Sequence, residues 1–247
     1  MHYRGYLFDL DGTLFRGNEP IPGAVEKVRE LHDRGAVVRY VTNNSTQTRE
    51  HFVAKLQGMG FPCAPSEVVS SGIGTGRYLV EEKLATAYVV GEPGLVATLE
   101  EFGVTVSDAP NPEAVVVGLC RTFTYDLMRE AMTRIRAGAR FVATNPDATY
   151  PMEGGKLIPG AGSIVAAVRA CSQVEPFVIG KPKPFLIELA LHDAGLSPRE
   201  TLVVGDRLDT DIESGIAAQC DTFLVLTGVE TEIPAGQFGA PTLASLP

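Results

Sequence analysis

Short, largely apolar runs with no polar face recur through the chain and alternate with stretches of helical periodicity. The runs are Tyr6–Phe8, Ala36–Val41, Val68–Ser70, Thr86–Val90, Ala114–Val117, Arg140–Ala143, Phe177–Ile179, Leu202–Val204 and Thr222–Leu226. Helical patterns fall between them at Gly23–Arg34, Gln47–Gln57, Gly94–Phe102, Tyr125–Ala137, Gly162–Cys171, Pro184–Ala194 and Asp209–Ala218. In the first of these Val25, Val28 and Leu31 share one face. A strand without a polar face must be covered on both sides, which parallel sheets flanked by helices achieve. The chain therefore reads as α/β.

These strands outnumber what one compact sheet of a 247-residue chain usually holds, and the loops rich in reactive side chains lie toward its two ends. The expectation is a discontinuous core, residues 1–82 and 178–247, interrupted by a second α/β domain at residues 83–177. Ser197-Pro198-Arg199-Glu200 has capping-box spacing and predicts a helical turn before Leu202. Gly72-Ile73-Gly74-Thr75-Gly76-Arg77 approaches a dinucleotide fingerprint, but Arg77 stands where the third glycine belongs.

Charge narrows the partners. The formal net charge of −9 disfavours nucleic-acid polymers and anionic membrane, so an anionic ligand needs a local cationic pocket. The start, Met1-His2-Tyr3-Arg4-Gly5, leads into an apolar stretch too short for a signal sequence, and no run reaches the roughly 18 apolar residues of a membrane span. Cys63, Cys120, Cys171 and Cys220 stand singly, without the spacing of a zinc site or redox dithiol. They read as reduced, buried thiols of a cytoplasmic protein.

The chemistry concentrates where apolar runs end. Leu7-Phe8-Asp9-Leu10-Asp11-Gly12-Thr13 puts two carboxylates on one face of an extended segment, beyond a strand's carboxyl end. Gly205-Asp206-Arg207-Leu208-Asp209-Thr210-Asp211 follows another such strand. Brought together, these carboxylates repel one another unless a cation lies among them, and hard oxygen donors suit Mg²⁺. Asp209 and Asp211 also sit where a helix start favours acids. Lys181, after Phe177–Ile179, offers a compact positive charge, whereas Lys183 reads as solvated. Thr42, Asn43 and Asn44 follow Tyr40-Val41 with a hydroxyl and two amides that can donate to phosphate oxygens or cap a helix.

In this order and strand context the clusters resemble the four motifs of the haloacid dehalogenase-like (HAD) hydrolase superfamily: Asp9-Leu10-Asp11-Gly12-Thr13, Thr42, Lys181, and Gly205-Asp206 with Asp211. Further stretches, among them Ile21-Pro22-Gly23-Ala24, Ala143-Thr144-Asn145-Pro146-Asp147 and Pro159-Gly160-Ala161-Gly162-Ser163, look like its NagD and 4-nitrophenylphosphatase branch. The resemblance implies a three-layer, Rossmann-like parallel-sheet core with an inserted α/β cap. It implies a phosphatase acting on small phosphorylated metabolites, such as sugar phosphates, nucleoside monophosphates, phosphoglycolate or nitrophenyl phosphate. Asp9 would be the nucleophile and Asp11 the acid and base, with Mg²⁺ held by Asp9, the Asp11 backbone carbonyl, Asp206 and Asp211. Thr42, Asn43, Asn44 and Lys181 would bind the phosphoryl group. The loop Asn145–Pro151 would face the substrate, with Tyr150 at the specificity position, and relatives can form homodimers through the cap. A receiver-like module that keeps its phosphate, or a phosphomutase on the same fold, are the competing readings.

Overall fold

The computed structural model describes residues 3–151 and 157–246. In chain order, β1 (Gly5–Phe8) leads to a hairpin of β2 (Phe15–Arg16) and β3 (Glu19–Pro20), then α1 (Ala24–Asp33), β4 (Val37–Thr42), α2 (Arg49–Gly58) and β5 (Val68–Ser70). Next come α3 (Ser71–Glu81), β6 (Thr86–Val90), α4 (Pro93–Glu101), β7 (Thr105–Val106), β8 (Ala114–Val117), α5 (Tyr125–Arg136) and β9 (Arg140–Ala143). A hairpin of β10 (Thr149–Pro151) and β11 (Leu157–Pro159), α6 (Ala161–Ser172) and β12 (Phe177–Val178) follow. The chain closes with α7 (Phe185–Ala194), β13 (Thr201–Gly205), a π-helical turn over Leu208–Ile212, α8 (Glu213–Ala217), β14 (Asp221–Val225) and β15 (Gly239–Ala240).

Two compact units result. The first comprises Met1–Thr42, Glu50–Val69 and Lys181–Pro247. Its sheet has the order β15-β14-β13-β1-β4-β5, and β1 pairs in parallel with both β13 and β4. β1 and β13 are buried at every residue, as strands covered on both faces must be. Central placement of β1 sets the carboxyl ends of β4, β1 and β13 side by side at one edge, where open α/β sheets bind ligands.

The second unit comprises Asn43–Arg49 and Ser70–Gly180. Its sheet, β12-β9-β8-β6-β7, is parallel throughout, and α5 and α6 pack together on it. Val115, Val117, Phe141, Ala131, Ile135, Val165 and Val168 form its core with Tyr88 and Val90. Thr124 caps α5, its side chain accepting from Leu127 N–H.

The division departs from the expected boundary at residue 82, because the sequence reading has no helix at Ser71–Glu81 and the structure does. Alternate glycines at 72, 74 and 76 lower helix propensity there, but packing overrides propensity. A Cβ on Gly76 would lie 2.3 Å from the Phe102 ring, so the bare backbone lets α3 seat against that side chain. Ser70 caps α3 by accepting from Ile73 N–H at 3.2 Å, and Tyr78 stacks on Phe177 at 4.2 Å between centroids. The Ser70 bond only fixes the start of α3; the Phe102 seat and the Tyr78 stack tie the helix into the second unit.

Smaller expectations fare variously. Pro198–Glu200 forms the expected turn, with Ser197 N–H donating to Glu200 Oε1 at 2.8 Å. The expected helix at Asp209–Ala218 begins instead as a π-helical turn. Three of the cysteine thiols are free and buried, but Cys171 is only half-buried. Among the described residues no helix is long and apolar enough to cross a membrane.

Candidate active site

The site grows from β1. Leu10 accepts from Leu14 N–H at 2.9 Å, and Gly12, at φ +89°, turns the chain back so that its N–H donates to Phe15 O at 2.8 Å. This tight turn holds Asp9 and Asp11 at the sheet edge. Lys181 is 3% exposed, and its ammonium bridges two carboxylates, donating to Asp9 Oδ1 and Asp211 Oδ1 at 2.6 Å each. A third bond, at 3.3 Å, goes to the carbonyl of Val41, the residue before buried Thr42.

Asp206 and Asp211 are fixed by the backbone. Asp211 Oδ2 accepts from Asp206 N–H and Arg207 N–H, each at 3.2 Å, closing the loop after β13 on itself. Asp206 Oδ2 accepts from Val229 N–H at 2.8 Å, and Oδ1 from Thr13 Oγ1 at 3.4 Å. Gly228 permits the close approach of that second loop: a Cβ there would stand 1.9 Å from Asp206 Oδ2. Thr227 Oγ1 in turn donates to Gly12 O at 2.7 Å. The loop after β14 therefore braces both acidic motifs.

Carboxylate oxygens of Asp9, Asp206 and Asp211 lie within 4.8 Å of one another. Burial raises Asp9 well above the ordinary carboxylate range; Lys181 opposes this, while Asp211 and Asp206 add to it. Asp206 is pushed up to about 7, chiefly by burial and then by Asp211. Burial also draws the Lys181 ammonium down, but Asp211 and Asp9 outweigh it and leave it raised. Asp11 is raised by burial against the pull of Lys55 and Lys181. More negative charge is gathered here than one lysine offsets, and the donors are all oxygen. These residues fit a hard divalent cation such as Mg²⁺.

Asp9, Lys181, Asp206 and Asp211 thus meet as the motif order suggested, with Asp11 on the adjoining turn. The Asp11 carboxylate is not one of the clustered three. Lys181 follows a strand of the other sheet, since β12 pairs with β9, so it arrives as the first residue of the returning chain rather than at the end of a first-sheet strand. Asp209 pairs with Arg207 through two bonds of 2.9 and 3.0 Å, outside the cluster. Lys183 is exposed, as expected of a solvated lysine.

Asn43, Asn44 and Tyr150 belong to the second unit. Asn43 Nδ2 donates to Asp147 Oδ2 at 3.0 Å, and its carbonyl accepts from Ser71 Oγ and, at 2.8 Å, from Asn145 Nδ2. Asn44 Oδ1 accepts from Thr46 N–H and Thr46 Oγ1, each at 2.8 Å. Asn44 thus braces its own turn, whereas Asn43 ties that turn to the loop at Asn145 and Asp147. Tyr150 is half-buried in β10, opposite Ile158, so the expected loop ends in a hairpin strand. The sequence reading missed Thr13 and Val229. Thr13 lies inside the first motif and was recoverable; Val229 acts through a backbone N–H, which leaves no trace in residue type.

Two family models match, one described as haloacid dehalogenase-like hydrolase over residues 6–105 and one as HAD-hydrolase-like over residues 178–243. An acid sugar phosphatase of Staphylococcus haemolyticus is 42% identical over 231 residues, covering 93% of this chain and 88% of that protein. The chain belongs to the haloacid dehalogenase-like hydrolase family. A 5'-nucleotidase, YutF, of Bacillus subtilis is also 42% identical, covering 92% and 88% of the respective chains. The structure of NagD from E. coli superposes with a TM-score of 0.91 at 33% identity, covering 100% of this chain and 99% of that one. This HAD hydrolase is therefore an enzyme of the NagD-like branch.

Proposed function

We propose that this HAD hydrolase is a Mg²⁺-dependent phosphoric monoester hydrolase of small metabolites, working through a phosphorylated Asp9. The observation that carries the reading is the Asp9 carboxylate, held by Lys181 at 2.6 Å within a cluster of buried carboxylates at the end of the central strand. Asp9 attacks phosphorus as the ester P–O bond breaks, and Asp11 gives its proton to the leaving oxygen. Water then attacks the aspartyl-phosphate, Asp11 takes the water's proton, and the Asp9–phosphorus bond breaks to release phosphate. Thr42 and Lys181, with the backbone of the Asn43-Asn44 turn, bind the phosphoryl oxygens as charge spreads over them. Asp9, Asp206, Asp211 and the Asp11 carbonyl would hold Mg²⁺, which when bound supplies positive charge against the developing negative charge.

The relatives named acid sugar phosphatase and 5'-nucleotidase support sugar phosphates and nucleoside monophosphates as substrate classes. Tyr150 selects among leaving groups in this reading. The net charge of −9 favours a small ester over a polymer, and the enzyme is taken to act in the cytoplasm as a monomer or a dimer formed through its second unit. The test is phosphate release from a panel of phosphomonoesters with Mg²⁺ and with chelator, for wild type, Asp9→Asn and Tyr150→Ala. Metal-dependent release is expected, abolished in Asp9→Asn and re-ranked among esters in Tyr150→Ala. No metal-dependent release from any ester overturns the reading. A long-lived phosphoprotein after acetyl phosphate treatment would favour a receiver-like role.

A further inference from the structure

Lys55 stands on α2, half-buried, with its ammonium 4.1 Å from the centroid of the Phe15 ring. Phe15 is itself 1% exposed and begins the hairpin that follows the acidic turn. Its carbonyl accepts the Gly12 N–H at 2.8 Å, and Asp11 and Phe15 form an isolated bridge. The other flank of this hairpin is already fixed, since Arg16 Nε donates to Thr227 O at 2.8 Å. A half-buried lysine with its charge seated on an aromatic face is an arrangement in which position and charge work together.

We propose that Lys55 is a positioning residue for Asp11: seated on Phe15, its ammonium holds the turn Leu10–Phe15 and orients the Asp11 carboxylate toward the leaving oxygen. The inference rests on the reading of Asp11 as proton donor. Lys55 bonds neither substrate nor metal in this account. It fixes the direction of the carboxylate, and small errors in such a direction are costly in rate.

The test compares nitrophenyl phosphate, whose leaving group needs little protonation, with glycerol phosphate, whose alkoxide needs much. Lys55→Met keeps the length of the stem and removes the charge, whereas Lys55→Arg restores charge over the ring. For Lys55→Met, kcat on glycerol phosphate should fall about tenfold or more with KM nearly unchanged, and kcat on nitrophenyl phosphate less than about threefold. Lys55→Arg should recover most of the loss at an unchanged melting temperature. Equal losses on both esters, a change confined to KM, or wild-type rates in Lys55→Met overturn the proposal. Failure of the underlying reading looks different: the wild type releases no phosphate with Mg²⁺, or Asp11→Asn itself loses equally on both esters.

Discussion

Gly228→Ala tests whether the loop after β14 sets the position of Asp206. The added Cβ would lie 1.9 Å from Asp206 Oδ2, 2.3 Å from its Cγ and 2.7 Å from its Cβ. Rotating the carboxylate alone cannot relieve this, because the Asp206 Cβ is also too near. Either Asp206 retreats by about 1.5 Å to reach ordinary contact, or the loop lifts, and a misplacement of about 1 Å can cost 10²-fold in rate. Both routes break the 2.8 Å bond from Val229 N–H, and bonds to charged groups contribute about 1.5–3 kcal/mol. The second route also strains the 2.7 Å bond from Thr227 Oγ1 to Gly12 O. The expected result is a loss of about 10²-fold in kcat/KM, equivalent to about 2.7 kcal/mol of transition-state stabilisation, with a weakened Mg²⁺ requirement curve. Nitrophenyl phosphate hydrolysis titrated with Mg²⁺ measures both, and circular dichroism checks the fold. A variant within twofold of wild type in rate and Mg²⁺ midpoint would refute the idea that this loop places Asp206.

Asp11→Asn should keep its metal response, since its backbone carbonyl remains, and should spare nitrophenyl phosphate relative to alkyl esters by about 10²-fold or more; parallel progress curves on the two esters measure the ratio. Cys63 is pushed up to about 12 and Cys220 to about 11, each chiefly by burial, with Glu67 and Asp221 respectively adding to it. At pH 8.5 both should resist iodoacetamide in the native enzyme and react once it is unfolded, which peptide mapping reads directly. Because unfolded thiols ionise first, near pH 8.5, the unfolded chain binds fewer protons above that pH. Stability from this source should fall as pH rises toward 11, seen as a lower urea midpoint that Cys63→Ala with Cys220→Ala makes less pH-dependent.

What could be read from residue order is instructive. Asp9, Asp206 and Asp211 were legible because apolar runs announce strands and polar residues at their ends announce the edge of a parallel sheet, whereas Lys181 was legible only through its place in the motif order, since the strand before it belongs to the other sheet. The residues that aim them were not. Gly228 and Val229 contribute an absent side chain and a backbone N–H, and Lys55 acts through a ring that looks like plain core. Alternate glycines hid α3, because its stability comes from the Phe102 ring packed on Gly76 rather than from local preference. Asn43 is read only in part: the amide beside Thr42 looks like a ligand for phosphate, and nothing in residue order shows that its Nδ2 also donates to the distant Asp147.

The heptapeptide Asn43–Arg49 has a consequence for anyone rebuilding this enzyme. It is covalently flanked by first-unit chain, yet its partners are Ser71, Thr144, Asn145 and Asp147, and the Thr46 carbonyl lies 2.3 Å from where a Cβ on Gly94 would be. Deleting residues 70–180 to obtain a minimal scaffold would strand this peptide among polar groups whose partners had gone. A chimera that grafts the second unit of a relative must therefore exchange two segments together, the long insertion and these seven residues, or inherit a mismatched seam immediately after Thr42.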